Sequence, residues 1–454
     1  MHEQSGLNPR EHTMDAETLI LGAGMTGLAA GMVSKLPVLE AEAEPGGICC
    51  SYYMRPGGRE VLNQRPADEE VYRFENGGGH WLFGGDAPIL EFIRGVVPVR
   101  RYARLSSVYF PDTGAYVPYP LQNHLRFLPP STARSALEEM AQPAGTLTAR
   151  STLAEWLTMS FGPTLTELFF APFHASYTAN LYREIAPQDA YKSPVDLELA
   201  LRGASEAAPA VGYNTTFLYP ENGLDVLARR MAVECNVEFG SRVARVDVAK
   251  RVLELADGST RRFERLLSTL PLNVMMAMTG LTVRSRPDPH SSVLVVNVGG
   301  TRGARCPADH WLYIPRSEAG FHRVGFYSNV DPHFLPRSAR RDNNRVSLYV
   351  ERAYAGDARP SPQETDRYCR AVADELEAWG FIGKAEVVHP TWIDVAYTWS
   401  WPGSRWKDEA VAKLAEHGVY QVGRYARWTF QGIADSIRDG FAAGGALAPW
   451  RSRQ

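Results

Sequence analysis

The sequence predicts an α/β fold in which a Rossmann-like unit is interleaved with an antiparallel-sheet domain and a helical segment. Three observations predict it. A glycine-rich strand–turn–helix stands near the start, in "ETLILGAGMTGLAAGMVSKLPVLEAE". Stretches that alternate like antiparallel strands lie far from it, at 237–260, with further strand-like runs at 292–300 and 346–352. A strand, a Gly-Arg turn and a long helix come near the other end, in "GVYQVGRYARWTFQGIADSIRDGFAAGGAL" (418–447). This mixed order implies discontinuous domains.

Taken in order, "MHEQSGLNPREHTMDAE" is polar, lacks the apolar core of a signal peptide and is expected to be a tail. "ETLILGAG" is a short apolar strand running into glycine. "MTGLAAGMVSKL" carries apolar residues at helical spacing, and "PVLEAE" is a second strand, so the chain opens as a βαβ unit. Residues 54–72 are polar and loop-like. Residues 151–182 form a helical, aromatic-rich block. The strands in 237–260 turn at Asp257-Gly258, and "LLSTLP" (266–271) is a buried strand ending in proline. The expected division is 17–105, 216–285 and 411–447 for the nucleotide-binding unit, 106–215 for a sheet strand with the helical substrate segment, and 286–410 for the antiparallel sheet.

Composition narrows the function. The 454 residues exceed one simple core, and 44% hydrophobic with 22% charged content is an ordinary globular balance. A net charge of −3 gives no reason to expect nucleic acid. The 5 cysteines (49, 50, 235, 306, 369) have no metal-ligand spacing and read as thiols of a reducing, cytoplasmic compartment. No apolar run reaches the about 18 residues of a membrane span. Oligomeric state is left open.

The glycines carry the first functional signal. Gly22, Gly24 and Gly27 are spaced G-x-G-x-x-G between a strand and a helix. Gly22 makes the tight turn, Gly24 lets backbone approach a pyrophosphate, and Gly27 lets helix and strand pack closely. The helix N-terminus then offers free N–H groups to phosphate. Glu40 ends the second strand, placed for ribose hydroxyls, with Glu42 as the alternative. It lies 18 positions after Gly22, tighter than the usual about 20, which fits a trimmed connection after Lys35. Gly46-Gly47 in "EPGG", Gly79 in "ENGGGHWLF" (75–83) and Gly423 in the last segment permit further close approaches. Approaches spread over the whole chain suit a long, permanently held dinucleotide, and FAD is favoured over NAD.

The segments "GAGMTGLAAG…LEAEAEPGG", "GGGHWLFG", "YVPYPLQNHL", "GYNTTFLYPENG", "LLSTLP", "HWLYIP…GFHRVGFYSN", "DVAYTWSWPG" and "GRYARWTFQGIADS" together resemble the UDP-galactopyranose mutases, above all their eukaryotic-type branch, within the wider amine-oxidase-like flavoproteins. The likeness runs from about residue 17 to 445. It implies an intramolecular transferase in which N5 of reduced flavin attacks the anomeric carbon of an NDP-hexopyranose, the nucleotide leaves, and the sugar ring opens, recloses as the furanose and regains the nucleotide. There is no net redox change, yet FAD must be reduced, with NAD(P)H as a possible external reductant. The protein's part is then to hold a leaving diphosphate, which asks for cations and phenols. By resemblance Arg323 clamps the diphosphate with a fork that a lysine cannot reproduce, and Tyr313 and Tyr397 donate to it. Asn214 and Trp311 fall at the sugar, Gln122 and Tyr119 at the nucleotide end, His80 beside the flavin ring, and Arg424 at the flavin pyrophosphate or ring edge.

Two departures bear on activity. The family's second diphosphate arginine is missing from "PQDAYKSPVDLEL", where Lys192 offers only a point charge. A family tyrosine is Phe430 here. A lost charged hydrogen bond costs about 1.5–3 kcal/mol and a neutral one about 1. Together they weaken a diphosphate site by roughly two orders of magnitude or more. Leu121 and "HASYTANLY" replace aromatic segments of the base pocket, and 54–72 is longer than its counterpart, so base and sugar are expected to differ from UDP-galactose. The competing expectation is an FAD-dependent oxidase or dehydrogenase of a sugar, amine or other small metabolite. A non-catalytic flavin-binding scaffold ranks behind both.

Overall fold

The structure is a computed structural model and describes residues 17–142, 145–188, 195–209, 211, 215–356 and 358–447. Its first sheet is built on the expected βαβ unit. The strand Glu17–Leu21 pairs in parallel with Pro37–Leu39 on one side and Thr260–Ser268 on the other. Asn236–Glu238 and Val419–Gln421 extend the sheet outward, also in parallel. Leu19, Ile20, Leu21, Val38, Leu266 and Leu267 are buried, the continuous apolar run that a sheet covered on both faces requires. A hairpin, Val243–Asp247 with Val252–Leu255, hangs antiparallel from the strand Thr260–Ser268.

The chain ends close the unit together. The first helix, Met25–Ser34, packs along the last, Ile433–Leu447. The approach is too close for side chains: a Cβ on Gly440 would lie 2.2 Å from the carbonyl oxygen of Thr26, and one on Gly444 2.4 Å from that of Ala30. Gly440 and Gly444 are therefore a packing face, whereas a Cβ on Gly445 would meet nothing.

The second sheet has the spatial order Ile382–Thr398, His290–Arg302, Arg345–Ala355, Arg323–Gly325, Trp311–Tyr313, Ser106–Phe110, Ala115–Pro118. All neighbours are antiparallel except Trp311–Tyr313 on Ser106–Phe110. Alternation sorts its residues between two cores. Leu294, Val296, Leu348 and Val350 face the helix Pro362–Ala378. Val293, Val295, Trp311 and Tyr349 face the nucleotide unit, against Tyr72, Phe74 and Trp81. Tyr313, Arg323 and Glu351, opposite one another in register, fall on this second face by the same alternation. Two smaller sheets, Ser51–Met54 with Tyr72–Glu75 and Leu82–Phe83 with Thr216–Pro220 and Val99–Ala103, complete the floor.

The helical block starts at a capping box, Thr152 with Glu155, and breaks at Gly162 (φ +74°) and Pro163. A π-turn, Thr166–Phe170, then leads into the helix Ala171–Tyr177. This offset delivers Phe173 and Tyr177 to the edge of the large sheet. Among the described residues no helix is long and apolar enough to cross a membrane, and no group of His, Cys, Asp and Glu could hold a metal ion.

Candidate active site

The nucleotide end is shaped by backbone. Gly22 has φ +92°, and a Cβ on Gly27 would stand 1.9 Å from the Gly22 carbonyl oxygen. Only glycine lets the helix begin against that turn. No side chain caps the helix, whose N-cap is Gly24, so its first N–H groups remain for an anion. Gly46 donates its N–H to the Ala23 carbonyl at 2.8 Å with φ +112°, holding the "EPGG" turn against the fingerprint. Glu40 sits at the strand end, 8% exposed. Its Oε2 accepts the Ala23 N–H at 2.6 Å and its Oε1 the Glu42 N–H at 2.9 Å, so it braces the glycine turn. Glu42 instead pairs with Arg242 on the surface. The short spacing has a plain cause: the helix ends at Ser34, Lys35 takes φ +56°, and the strand begins at Pro37. Open N–H groups and a cradle that any Cβ would fill fit an FAD pyrophosphate.

At the centre of the cleft, Tyr349 is slotted between two glycines. A Cβ on Gly325 would lie 2.0 Å from its Cζ, and one on Gly79 2.1 Å from its hydroxyl oxygen. Gly79 thus answers first to a tyrosine; its placement for cofactor contact is secondary. His80 Nδ1 is 3.2 Å from the Gly78 carbonyl. Burial foremost, with the Arg424 and Arg323 charges adding, holds its imidazole down to about 4, against the opposing pull of the Gly78 hydrogen bond and Glu351. The ring is neutral at neutral pH. Gly423 has φ +90°, and a Cβ there would meet Thr26 Oγ1 at 2.5 Å, which brings the last turn onto the first helix. Arg424 follows, donating to the carbonyls of Gln431 (3.3 Å) and Ala396 (3.2 Å), with its guanidinium 4.6 Å from the Phe430 ring centre.

Strand register assembles the other end. Tyr313 lies opposite Arg323, and Arg323 opposite Glu351. Arg323 donates to Glu351, whose side chain is 2% exposed. Burial alone would raise the Glu351 carboxyl, but the Arg323 guanidinium foremost holds it well below the usual carboxylate range. Nε of Arg323 has no partner among the described residues, and 24% of its side chain is exposed. Around it runs an aromatic wall. Tyr119 lies on Tyr313 at 4.4 Å, Phe173 against Tyr313 at 5.5 Å, and Tyr177 against Tyr397 at 4.7 Å, with Trp399 beyond. Tyr177, Gln188, Tyr397, Thr398, Trp399, Arg424 and Phe430 line a common hollow.

The structure therefore brings Arg323, Tyr313, Tyr397, Tyr119, His80 and Arg424 into one neighbourhood, with Tyr397 and Arg424 lining the hollow. It places Trp311 in the core, 2% exposed, with Phe83 and Phe217 beside it. Gln122 is fully buried in the turn Leu121–Asn123. Asn214 and Lys192 lie outside the described residues. Sequence reasoning missed Glu351, Tyr349, His322 and Tyr177. A signal existed for Glu351, a lone acid inside the apolar run "RVSLYVERAYA".

The pattern of the family described as flavin containing amine oxidoreductase matches residues 23–443. The chain belongs to that family. Solved structures with the same fold include a reduced UDP-galactopyranose mutase, 20% identical over 95% of each chain at a TM-score of 0.77. Cyclohexylamine oxidase from Brevibacterium oxydans IH-35A is 14% identical over 96% of this chain and 99% of its own, at 0.57. Putrescine oxidase bound to putrescine is 14% identical over 95% and 98%, at 0.55. One fold thus carries a mutase and amine oxidases, and site chemistry must separate them.

Proposed function

We propose that this member of the flavin-containing family is an FAD-dependent NDP-sugar pyranose–furanose mutase with an altered base or sugar. The observation that carries the reading is the charge of the cleft. Arg323 and Arg424 both act on His80 and Tyr397, and Glu351 pairs with Arg323. Such a site favours an anion and disfavours the ammonium group of an amine substrate. Arg323 is partly exposed, with a buried Nε that has no partner among the described residues, and a guanidinium is suited to a diphosphate that must be held while it is detached from its sugar. Tyr313 and Tyr397 stand beside it as phenols; burial raises the Tyr397 hydroxyl well above its ordinary range. The aromatic wall excludes water from a glycosyl centre that would otherwise hydrolyse. Gly22, Gly24, Gly27, Glu40, Gly46 and Gly47 would hold the cofactor. When bound and reduced, it supplies the nucleophile for the anomeric carbon. NAD(P)H or another external reductant would charge it.

The second reading, an oxidase or dehydrogenase of a small neutral metabolite, is favoured by Phe430. Its ring fills the place beside Arg424 without offering a hydroxyl. The test is anaerobic. Protein reduced with dithionite is mixed with NDP-hexopyranoses and the products are separated by chromatography. Furanose product formed only by reduced protein supports the mutase. No isomerised NDP-sugar, with an uncharged small substrate bleaching the oxidised flavin, would establish the alternative.

A further inference from the structure

His322 precedes Arg323 and is 1% exposed. Its Nε2 lies 3.5 Å from Oε2 of Glu351. Neither ring nitrogen of His322 and not Oε2 of Glu351 makes a hydrogen bond among the described residues. The other oxygen of the carboxylate, Oε1, takes the Arg323 guanidinium. One acid therefore stands between two bases and is fully engaged by only one. The ring cannot leave this place easily. Its own backbone N–H donates to the Glu351 carbonyl at 3.0 Å, and its carbonyl accepts from Ile314 at 2.9 Å. Phe173 and Tyr177 close over it, at centroid distances of 6.0 and 5.3 Å.

The charges around it are few. Its own strand contributes Arg323 and the neighbouring strand Glu351. The helix packed against it contributes the uncharged Phe173 and Tyr177, with His174 behind Tyr177 at 6.1 Å. The phenols of Tyr349 and Tyr397, beside Arg323, are held neutral by burial. With His322 neutral, the Arg323–Glu351 pair sums to no net charge. Arg424, which acts with Arg323 on both His80 and Tyr397, adds one positive charge, so the site is still one cation short of a doubly charged anion.

We propose that His322 is a positioning residue that takes up a proton from solvent when a diphosphate docks on Arg323, and delivers that charge to the site through Glu351. This rests on the reading that Arg323 receives a diphosphate. The incoming anion competes with Glu351 for the guanidinium. Oε2, left with less cation, is answered by a protonated Nε2 already aligned with it. No covalent bond changes; one proton moves from buffer to imidazole. In the free protein burial keeps the ring's affinity for protons below its ordinary value, against the pull of Glu351. A bound anion raises it. Affinity for the anion is then greatest at acid pH, and falls by up to roughly tenfold per pH unit between the ring's free and bound pKa values.

The experiment is calorimetric titration of the holoprotein with UDP-galactose and with GDP-mannose, in buffers of different ionisation heat, across about pH 6 to 8. Both ligands are diphosphate diesters with no ionisation of their own in that range. The wild type should take up a proton on binding. His322→Gln should bind with no uptake and with affinity nearly flat in pH. Wild-type binding without uptake, or His322→Gln binding with unchanged uptake, overturns the proposal while leaving the diphosphate site standing. Failure of both ligands to bind overturns the diphosphate site and the proposal with it. Should His322→Gln not fold, histidine-labelled wild type decides the matter by NMR. The His322 ring must read as neutral at pH about 7.5 alone and protonated with ligand; the same state in both refutes it.

Discussion

Arg323→Met would separate what this arginine does for the fold from what it does for a ligand. Glu351 is 2% exposed and has Arg323 as its charge partner on Oε1, with His322 at 3.5 Å. Removing one member of a buried pair while the other stays charged costs about 3–5 kcal/mol. The single variant should lose about that much, whereas Arg323→Met/Glu351→Gln, which buries no charge, should recover most of it. The pH dependence has a definite sign. In the wild type the Glu351 carboxyl is depressed, so its contribution is present above its unfolded value of about 4.3 and is lost as pH falls toward the folded value. In Arg323→Met burial acts unopposed by the guanidinium and raises the carboxyl. That variant should be weaker at pH 8 than at about pH 5, an interval over which the Glu351 contribution in the wild type is nearly constant because its titration lies lower. Urea unfolding followed by circular dichroism, with flavin absorbance as a retention check, reads both effects. Both variants should also bind NDP-sugars about 10- to 150-fold more weakly, the worth of a charged hydrogen bond. A single variant as stable as the wild type, or one that has lost its flavin, would refute this placement of Arg323.

Phe430→Tyr restores a hydroxyl beside Arg424 and should tighten NDP-sugar binding about fivefold, the worth of one neutral hydrogen bond, by flavin fluorescence titration; unchanged affinity would remove Phe430 from the ligand site. Gly27→Ala must push a methyl into the Gly22 carbonyl, so the protein should purify without its yellow colour. A flavin-replete Gly27→Ala would show that the turn is not the cofactor cradle. His80 is held down to about 4 by burial, so its contribution to stability is complete above its unfolded value near 6.5 and is lost as pH falls through 4. His80→Gln should flatten the loss of stability over that interval in acid unfolding curves.

The nucleotide unit was legible because its demands are local. A strand, three glycines at fixed spacing and a helix start are written consecutively; Gly22 and Gly27 have a steric reason in the fold, and Gly24 borders open space. Even the short spacing to Glu40 resolves into a left-handed Lys35 joining helix to strand. The cleft was legible only in part, since its members meet through strand register and not through sequence distance. Arg323 and Tyr313 came from a family resemblance, whereas Glu351 meets them because Arg345–Ala355 lies beside Arg323–Gly325 in one particular register. Nothing in "GFHRVG" says that His322 will share an acid with Arg323. Trp311 shows the converse: its neighbour in sequence, Tyr313, reaches the cleft, but Trp311 itself is covered by Phe83 and Phe217. Tyr177 reaches the cleft because a π-turn shifts its helix, a feature without a dependable sequence signature.

The central claim is that the cleft isomerises an anionic sugar nucleotide without consuming electrons. The direct measurement is product formed per electron pair supplied, under nitrogen, with the flavin reduced by a limiting amount of dithionite. The account predicts furanose in large excess over the electron pairs added, with the flavin still reduced at the end. Product limited to one per electron pair, or a flavin left oxidised in step with turnover, would contradict it.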